Sequence, residues 1–317
     1  MAVDAASRAG DRHGASLSLG VARIDRDFSG LAELLARASE TFQLLDLCPG
    51  WGPPLRDLRQ WKKPVQVRVA PQRYPAPPGE SARFDELYPT AAVISAVERV
   101  AAAGFTVENV VLHKWASNVC RLYDGTRALG NLRELCNSRF GAGLGIACLD
   151  SHPADGLAVA RAVDWCSVQF NLSNQRARGV GASYRSAGCQ VEVRAPLDAG
   201  FLLRRVVQTL PRSDPRHAHF ARFQAFALRA ADELAQVAQA EQLDPAVLAV
   251  AWVLAHDWVD RVCIGASDPA QLRDAETALL VASRIGHRLV STEQLRRVDW
   301  SWRYGVGNIR SPKTDEL

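Results

Sequence analysis

Eight short β-rich runs alternate with helical patterns along this chain, and this alternation limits the folds that it can adopt. A strand–helix–strand repeat favours a parallel sheet. Eight such units favour closure into a barrel, which needs roughly 250 residues, so the 317 residues suffice for one barrel with tails. The predicted strands cover residues 17–24, 42–48, 64–70, 108–113, 142–149, 164–172, 189–197 and 259–266.

The segments between these strands show helical periodicity. In residues 30–40, Leu31, Leu34, Leu35 and Ala38 fall on one face. Further helices are predicted over residues 91–103, 222–242 and 244–255, the last of which opens on an Asp–Pro start signal. We therefore predict a single-domain TIM (β/α)8 barrel over residues 17–298, with an N-terminal tail (1–16) and a C-terminal tail (299–317) that folds over the pocket or packs on the side of the barrel. A doubly wound open sheet is the structural alternative, but no Gly-rich turn follows the first strand.

Composition narrows the classes of partner. The net charge of +4 comes from arginines spread over the whole chain, which argues against nucleic acid. No run of 18 apolar residues predicts a membrane span. The seven cysteines are odd in number, have no CxxC spacing and follow no apolar leader, so we expect reduced thiols in a cytoplasmic protein. We expect a small-molecule substrate, and the sequence leaves the oligomeric state open.

The third predicted strand, PVQVRVA (64–70), carries polar residues at alternate positions. Val65, Val67 and Val69 share one face, and Gln66 and Arg68 share the other. If the valines face the helices, Arg68 points into the barrel. Because a buried charge needs a partner, the sequence predicts an acid close to Arg68.

The carboxyl ends of the predicted strands supply the candidate catalytic groups, because reactive residues of TIM barrels lie there. Asp46 ends the second strand and His113 ends the fourth. We predict that Asp46 and Arg68 form an ion pair in the barrel mouth beside His113. For Asp46, a structural role as the acceptor for Arg68 and a chemical role are both open, and for His113 the alternative is a core histidine.

Three further residues near these strand ends are predicted to line a substrate pocket. They are Trp51 and Cys48 after the second strand and Trp115 after the fourth. Trp51 is either a pocket wall or a hydrogen-bond donor. Cys48 fits an inert thiol better than a nucleophile.

Six segments carry a resemblance to the aldo-keto reductase family, spanning about residues 17–285. LLDLCPGWG resembles the family's fDTAxxYG, VVLHKW resembles lxxlHxxd, and GLGIACLD resembles iraiGvSnf. VDWCSVQFNL resembles vxxvQvxyn, VRAPLDAGFL resembles arSPLaxGll, and LAVAWVLAHDWVDRVCIGASDPAQL resembles lAlawvlxxpxvxxvipGaxsxeql. Each motif falls on a predicted strand end in the family's order.

The resemblance implies a carbonyl reductase that uses NADPH and a catalytic Asp, Tyr, Lys and His. Asp46 and His113 match two of these positions, but the Tyr position falls on Trp51 and the Lys position on Ala70. An indole N–H does not deliver a proton at neutral pH. Arg68, two residues before Ala70, is the nearest cation, and an arginine is a poor acid.

The cofactor positions that the resemblance implies are also partly replaced. The Ser–Asn pair falls on Ala147 and Cys148, and a terminal Asn falls on Ala275, so we predict weakened nicotinamide cofactor binding. No metal is expected. The retained cofactor positions are Gln169, Arg194, Leu197, Gly200, Gly265, Ser267 and Gln271.

Two hypotheses for function follow. The first is a divergent NADPH-dependent oxidoreductase that acts on a small carbonyl compound, with His113 orienting the carbonyl. The second is a redox-inactive barrel that no longer uses NADPH. It would act as a lyase, dehydratase or isomerase with Asp46 and His113 as base and acid, or as a ligand-binding regulatory subunit.

Overall fold

The computed structural model of the chain describes residues 15–22, 24, 28–72, 83–115, 123–148, 156–157, 159–214 and 216–299, with only the backbone for 123–125, 219 and 220. Eight parallel strands form a closed barrel in sequence order, with β8 pairing to β1. The predicted TIM barrel is therefore confirmed. The strands are β1 (Ser16–Gly20), β2 (Leu44–Leu47), β3 (Val65–Val69), β4 (Val107–Trp115), β5 (Gly143–Cys148), β6 (Trp165–Gln169), β7 (Gln190–Arg194) and β8 (Arg261–Gly265).

The helices that follow these strands cover the barrel. They are α1 (Leu31–Thr41), α2 (Phe84–Leu87), α3 (Thr90–Ala102), α4 (Tyr123–Phe140), α5 (Gly181–Ser186), α6 (Arg204–Thr209), α7 (His217–Ala240), α8 (Pro245–Leu254), α9 (Pro269–Ser291) and α10 (Glu293–Arg296). None of the described helices is both long and apolar enough to cross a membrane.

The helix faces follow the apolar spacing of the sequence. The face predicted for α1 is the one that is buried, since Leu31, Leu34, Leu35 and Ala38 are all buried there. The helix α8 begins as its Asp–Pro signal predicts: the Asp244 side chain accepts a hydrogen bond from the Ala246 N–H at 2.7 Å. Burial of these apolar faces against the strands forms one continuous core between the two layers.

The interior of this barrel is polar. In most TIM barrels, by contrast, branched apolar side chains fill this space. Alternate residues on the paired strands share the inner face, and the register places Gln66 beside Asp46 and Ser18 beside Cys263. Hydrogen bonds then cross the barrel between strands that are not neighbours, as from β3 to β6 and β7. An interior of this kind needs internal partners for its charges.

The predicted tails fall outside this description for the most part. Residues 1–14 and 300–317 are not described, so the predicted placement of the C-terminal tail over the pocket, with Trp300, Trp302 and Tyr304, lies outside the described residues. The short helix α10 and Val298 close the described part of the chain, with Leu295 and Val298 in the core.

Candidate active site

The ion pair predicted between strands β2 and β3 is present inside the barrel. The Arg68 Nε donates to both carboxylate oxygens of Asp46, at 2.6 Å to Oδ2 and 2.9 Å to Oδ1. Both side chains are buried. The inward direction of Arg68 that the valine alternation predicts is therefore confirmed.

A second acid, Glu192 on β7, completes the environment of Arg68. An Arg68 terminal nitrogen donates to Glu192, and the Ser167 hydroxyl donates to the same carboxylate at 2.9 Å. Gln66 donates to Glu192 from the opposite side of the barrel at 3.1 Å. Cys263 on β8 donates its thiol to Asp46 at 3.1 Å. We call the set Asp46, Arg68, Ser167 and Glu192, with Gln66 and Cys263, the interior network.

Sequence reasoning missed Glu192 and Ser167, although a signal for Glu192 was present. The run CQVEVR places Val191 and Val193 on one face and Glu192 on the other, which is the same alternation that identified Arg68. Nothing comparable distinguishes Ser167 in the run WCSVQ.

The two carboxylates of the interior network differ in their electrostatics. Burial raises the pKa of Asp46 above its ordinary value and Glu192 adds to this, while Arg68 opposes it. Burial also works to raise the pKa of Glu192, but the cations Arg68 and Arg261 outweigh it and hold that pKa below the ordinary value. Despite its burial, Arg68 has its pKa raised by the two acids. Glu192 is therefore the ionised partner of Arg68, and Asp46 is the carboxylate that takes up a proton more readily.

His113 lies near the end of β4, where the strand leaves regular geometry. The following residue, Lys114, has a positive φ of 61°, and the β4–β5 register shifts between Leu112 and Trp115. The Tyr88 hydroxyl donates to the His113 carbonyl oxygen, which fixes the backbone at this point. This irregular end sets the direction of the imidazole.

The imidazole of His113 is held neutral. Burial, followed by repulsion from Arg194, Arg68 and Lys114, puts the pKa of His113 well below its ordinary value. The effect of Arg68 on this ring is consistent with the predicted placement of the ion pair beside it. The ring nitrogen Nδ1 is buried and has no hydrogen-bond partner among the described residues. A neutral imidazole can donate one hydrogen bond to a substrate but is not a proton source at pH 7.

The loop after β2 brings Trp51 to the surface. Its side chain is 47% exposed. Cys48 is nearly buried, and burial, together with Asp46, raises the pKa of its thiol to about 11. Gly52 has φ +75°, and a Cβ there would lie 2.4 Å from the Val21 carbonyl oxygen. The backbone shape of this loop therefore requires a glycine at position 52. The exposed Trp51 side chain is available for contact, and the Cys48 thiol is protonated at neutral pH.

Trp115 does not lie where the sequence placed it. It is fully buried and stacks on Tyr88, with ring centroids 6.4 Å apart and an interplanar angle of 18°, and it also contacts Phe84. The indole therefore lies in the core between the barrel and its helices, where it packs against the outer side of the β4 end. The alternation of β4 explains this, because Trp115 follows the irregular Lys114 and turns outward.

The loop after β7 has an unusual backbone. Ala195, Asp198, Ala199 and Gly200 all have positive φ, between 51° and 95°. A Cβ on Gly200 would meet Val206 at 2.8 Å. Left-handed backbone at residues other than glycine is costly and gathers at functional sites. The geometry of this loop marks it as a candidate binding segment.

Several predicted cofactor residues hold this loop. Gln169 donates to Asp198 at 3.1 Å, and Arg194 donates to the Cys148 carbonyl oxygen. Leu197 packs on the core. These contacts join the ends of β5, β6 and β7 into one rim.

The end of β8 carries the remaining predicted cofactor residues. Gly265 is exposed, and among the described residues the atom nearest to a Cβ placed on it is the Gly20 carbonyl oxygen at 3.9 Å. The Ser267 N–H donates to the Gln271 side chain at 3.0 Å. Asp268 caps helix α9 by accepting from the Ala270 N–H at 2.6 Å. The described residues include no group of three or more His, Cys, Asp or Glu side chains able to hold a metal ion.

Comparison with known proteins agrees with this architecture. The model of the aldo/keto reductase family matches residues 154–285. The aldo-keto reductase AKR11C1 from Bacillus halodurans, in its holo form, has a similar structure, with a TM-score of 0.58 and 17% sequence identity over 90% of this chain and 96% of that chain. No curated protein sequence matches this chain significantly. The comparisons thereby confirm the resemblance to the aldo-keto reductase family over residues 154–285, and the structural likeness shows the same fold.

Proposed function

We propose that the chain is a divergent member of the aldo-keto reductase family and that it acts as an oxidoreductase, reducing a small carbonyl compound with NADPH. The observation that carries this proposal is the partly buried His113 at the β4 end, whose pKa is lowered by burial and by the cations Arg194, Arg68 and Lys114. This arrangement offers one N–H to a carbonyl oxygen, and the nearby cations Arg194 and Lys114 favour the negative charge that develops on that oxygen during reduction.

The residues at the strand ends fit the cofactor in part. Gly265 leaves open space at the β8 end, and the left-handed loop after β7 presents its backbone beside Gln169. At β5 the fit is poorer. Ala147 has no polar group, and the Cys148 sulfur lies 3.8 Å from the Tyr184 hydroxyl in the helix layer. We therefore propose that Gln169, Arg194, Leu197, Gly200, Gly265, Ser267 and Gln271 hold NADPH, with a weaker grip on the nicotinamide.

When bound, NADPH supplies a hydride to the carbonyl carbon. His113 orients the carbonyl through its single N–H. The proton that the oxygen needs comes from water, because Trp51 is not an acid at neutral pH and Arg68 keeps its proton. Asp46 and Glu192 fix the direction of Arg68 and offset its charge, so the interior network orders the inside of the barrel below the strand ends.

A second function is favoured by one observation. No described side chain at the barrel mouth combines the acidity of a tyrosine with a neighbouring lysine, since these positions hold Trp51 and Ala70. A barrel of this kind could catalyse proton transfer alone, with Asp46 as base and the substrate bound beside His113, or it could bind a ligand without chemistry.

Oxidation of NADPH, followed by absorbance with a panel of aldehydes and ketones, separates these proposals. We expect turnover by the wild-type chain and a loss of at least tenfold in kcat/KM for His113→Phe, which corresponds to about 1.4 kcal/mol for one lost hydrogen bond. His287→Phe, at an exposed position on α9, is the matched control and should leave kcat/KM unchanged. Absence of turnover together with absence of NADPH binding would favour the redox-inactive alternative.

A further inference from the structure

The floor of the barrel, at the amino ends of the strands, is closed by a stacked arginine. The Arg261 guanidinium lies over the Trp165 ring, with its central carbon 4.2 Å from the ring centroid. One terminal nitrogen bonds Glu108 at 2.9 Å. The other two guanidinium nitrogens, Nε and Nη1, are buried and have no hydrogen-bond partner in the part of the chain that the structure describes. Orphaned donors on a buried cation are costly, so their partner must be sought inside the barrel.

Two buried oxygens on the inner face of the barrel also have no hydrogen-bond partner within the described ranges. They are Oγ of Ser18 on β1 and Oε1 of Gln66 on β3. The orientation of the Gln66 amide is fixed by chemistry, because its NH2 group must face the Glu192 carboxylate, so its oxygen points elsewhere. On β1, Ser18 is two residues beyond Ser16, the register partner of Arg261. Donors and acceptors without partners therefore occur together on β1, β3 and β8.

Glu192 and Arg261 lie at the centre of this group. They are register partners on β7 and β8, and Arg261 lowers the pKa of Glu192. Among the described residues, however, Arg261 forms its ion pair with Glu108 and Glu192 forms its ion pair with Arg68, and the two do not contact each other directly. The two opposite charges are thus register partners on the inner face of the barrel that form no ion pair with each other.

We propose that a buried water site bridges Arg261 to Glu192, with the Ser18 hydroxyl and the Gln66 carbonyl oxygen as further partners. Water both accepts from Arg261 and donates to Gln66, which matches the orphaned atoms of both kinds. An anion would be repelled by Glu192, and a cation would be repelled by Arg261. Buried waters of this type satisfy two to four polar groups, at roughly one site per 27 residues.

The bridging water links two parts of the barrel. It connects Arg261 at the amino ends of the strands, through hydrogen bonds, to Glu192, which in turn bonds Arg68. Glu192 then stays ionised because it bonds one cation, Arg68, directly and a second cation, Arg261, through the water. The direction of the Arg68 side chain therefore depends on whether this water is present.

High-resolution diffraction from crystals of the wild-type chain, grown with and without bromide, tests the proposal. We expect solvent density within hydrogen-bonding distance of Arg261 Nη1 or Nε, Gln66 Oε1 and Ser18 Oγ, and no anomalous bromide peak there. Direct contact between Arg261 and Glu192 with no solvent between them would overturn the proposal, and so would a bromide peak at this position.

Oxygen-17 relaxation dispersion provides an independent test in solution, because it counts long-lived buried waters. Ser18→Val should lower that count by at least one relative to the wild-type chain. Ser16→Val, on the same face of β1, should retain it, because the Ser16 hydroxyl already bonds the Asp260 carbonyl oxygen at 3.3 Å. An unchanged count in Ser18→Val, or equal losses in both variants, would contradict the site.

Discussion

Replacing Arg68 with methionine should destabilise the fold strongly, because it removes the shared cation from two buried acids. Methionine retains much of the length of the side chain, so the main effect is on charge. Asp46 and Glu192 are both buried, and both bond Arg68 directly. Removing one partner from a buried ion pair costs about 3–5 kcal/mol. For 317 residues, at roughly 2.1 cal/mol/K of unfolding entropy per residue, that corresponds to a fall in Tm of roughly 5–8 °C.

Urea unfolding followed by tryptophan fluorescence measures this loss. The matched control is Arg204→Met, which breaks an ion pair with Asp232 between two largely exposed side chains and should cost at most about 1 kcal/mol. The deficit of Arg68→Met should also shrink at acid pH. Without the cation, burial raises the folded-state pKa of both acids above their unfolded values, so the folded variant binds more protons and gains relative stability as the pH falls.

Two results would refute this reasoning. If Arg68→Met unfolds with the same midpoint and slope as Arg204→Met, the interior network contributes no more than a surface pair. If its deficit stays constant between neutral and acid pH, the buried carboxylates are not the source of the loss.

Three further outcomes can be checked separately. Burial lowers the pKa of His256 to about 4, so the free energy of unfolding should fall by up to about 3 kcal/mol as the pH drops from 6.5 toward 4. Denaturant titration should show this dependence on pH in the wild-type chain and a weaker dependence in His256→Gln. Gly52→Ala should lower the Tm measured by calorimetry more than Gly104→Ala does. Both positions have positive φ, but only at Gly52 would the new Cβ lie 2.4 Å from a backbone oxygen, that of Val21. Equal falls in Tm would show that the close approach is relieved. The Cys48 thiol, with its pKa raised to about 11, should react with iodoacetamide about tenfold faster per pH unit above pH 8, as followed by mass spectrometry, and a plateau below pH 9 would contradict this.

The fold could be predicted from the sequence because its periodicity is local. Each strand of the barrel falls within or next to a run that the sequence marks, and the buried face of α1 is the one that Leu31, Leu34, Leu35 and Ala38 define. The direction of Arg68 followed from the neighbouring valines, and its acid partner followed from the cost of burying a charge.

The site was harder to predict because it depends on contacts between distant strands. The bond from Arg68 to Glu192 joins residues 124 positions apart, and nothing in either strand alone specifies the pairing. Trp115 was misplaced for a local reason: the irregular backbone at Lys114 changes the alternation at the end of β4. The left-handed backbone of the loop after β7 has no sequence signature, because three of its four residues with positive φ are not glycine.

Titration of the wild-type chain with NADPH, followed by fluorescence, tests the proposed oxidoreductase site most directly. We predict saturable binding that is weaker than about 1 µM, equivalent to less than about 8 kcal/mol of binding free energy, because Ala147 and Cys148 offer the nicotinamide no polar side chain. Binding at 1 µM or tighter would show that other groups replace those contacts. Absence of saturable binding up to millimolar NADPH would contradict the proposal that this barrel is a reductase.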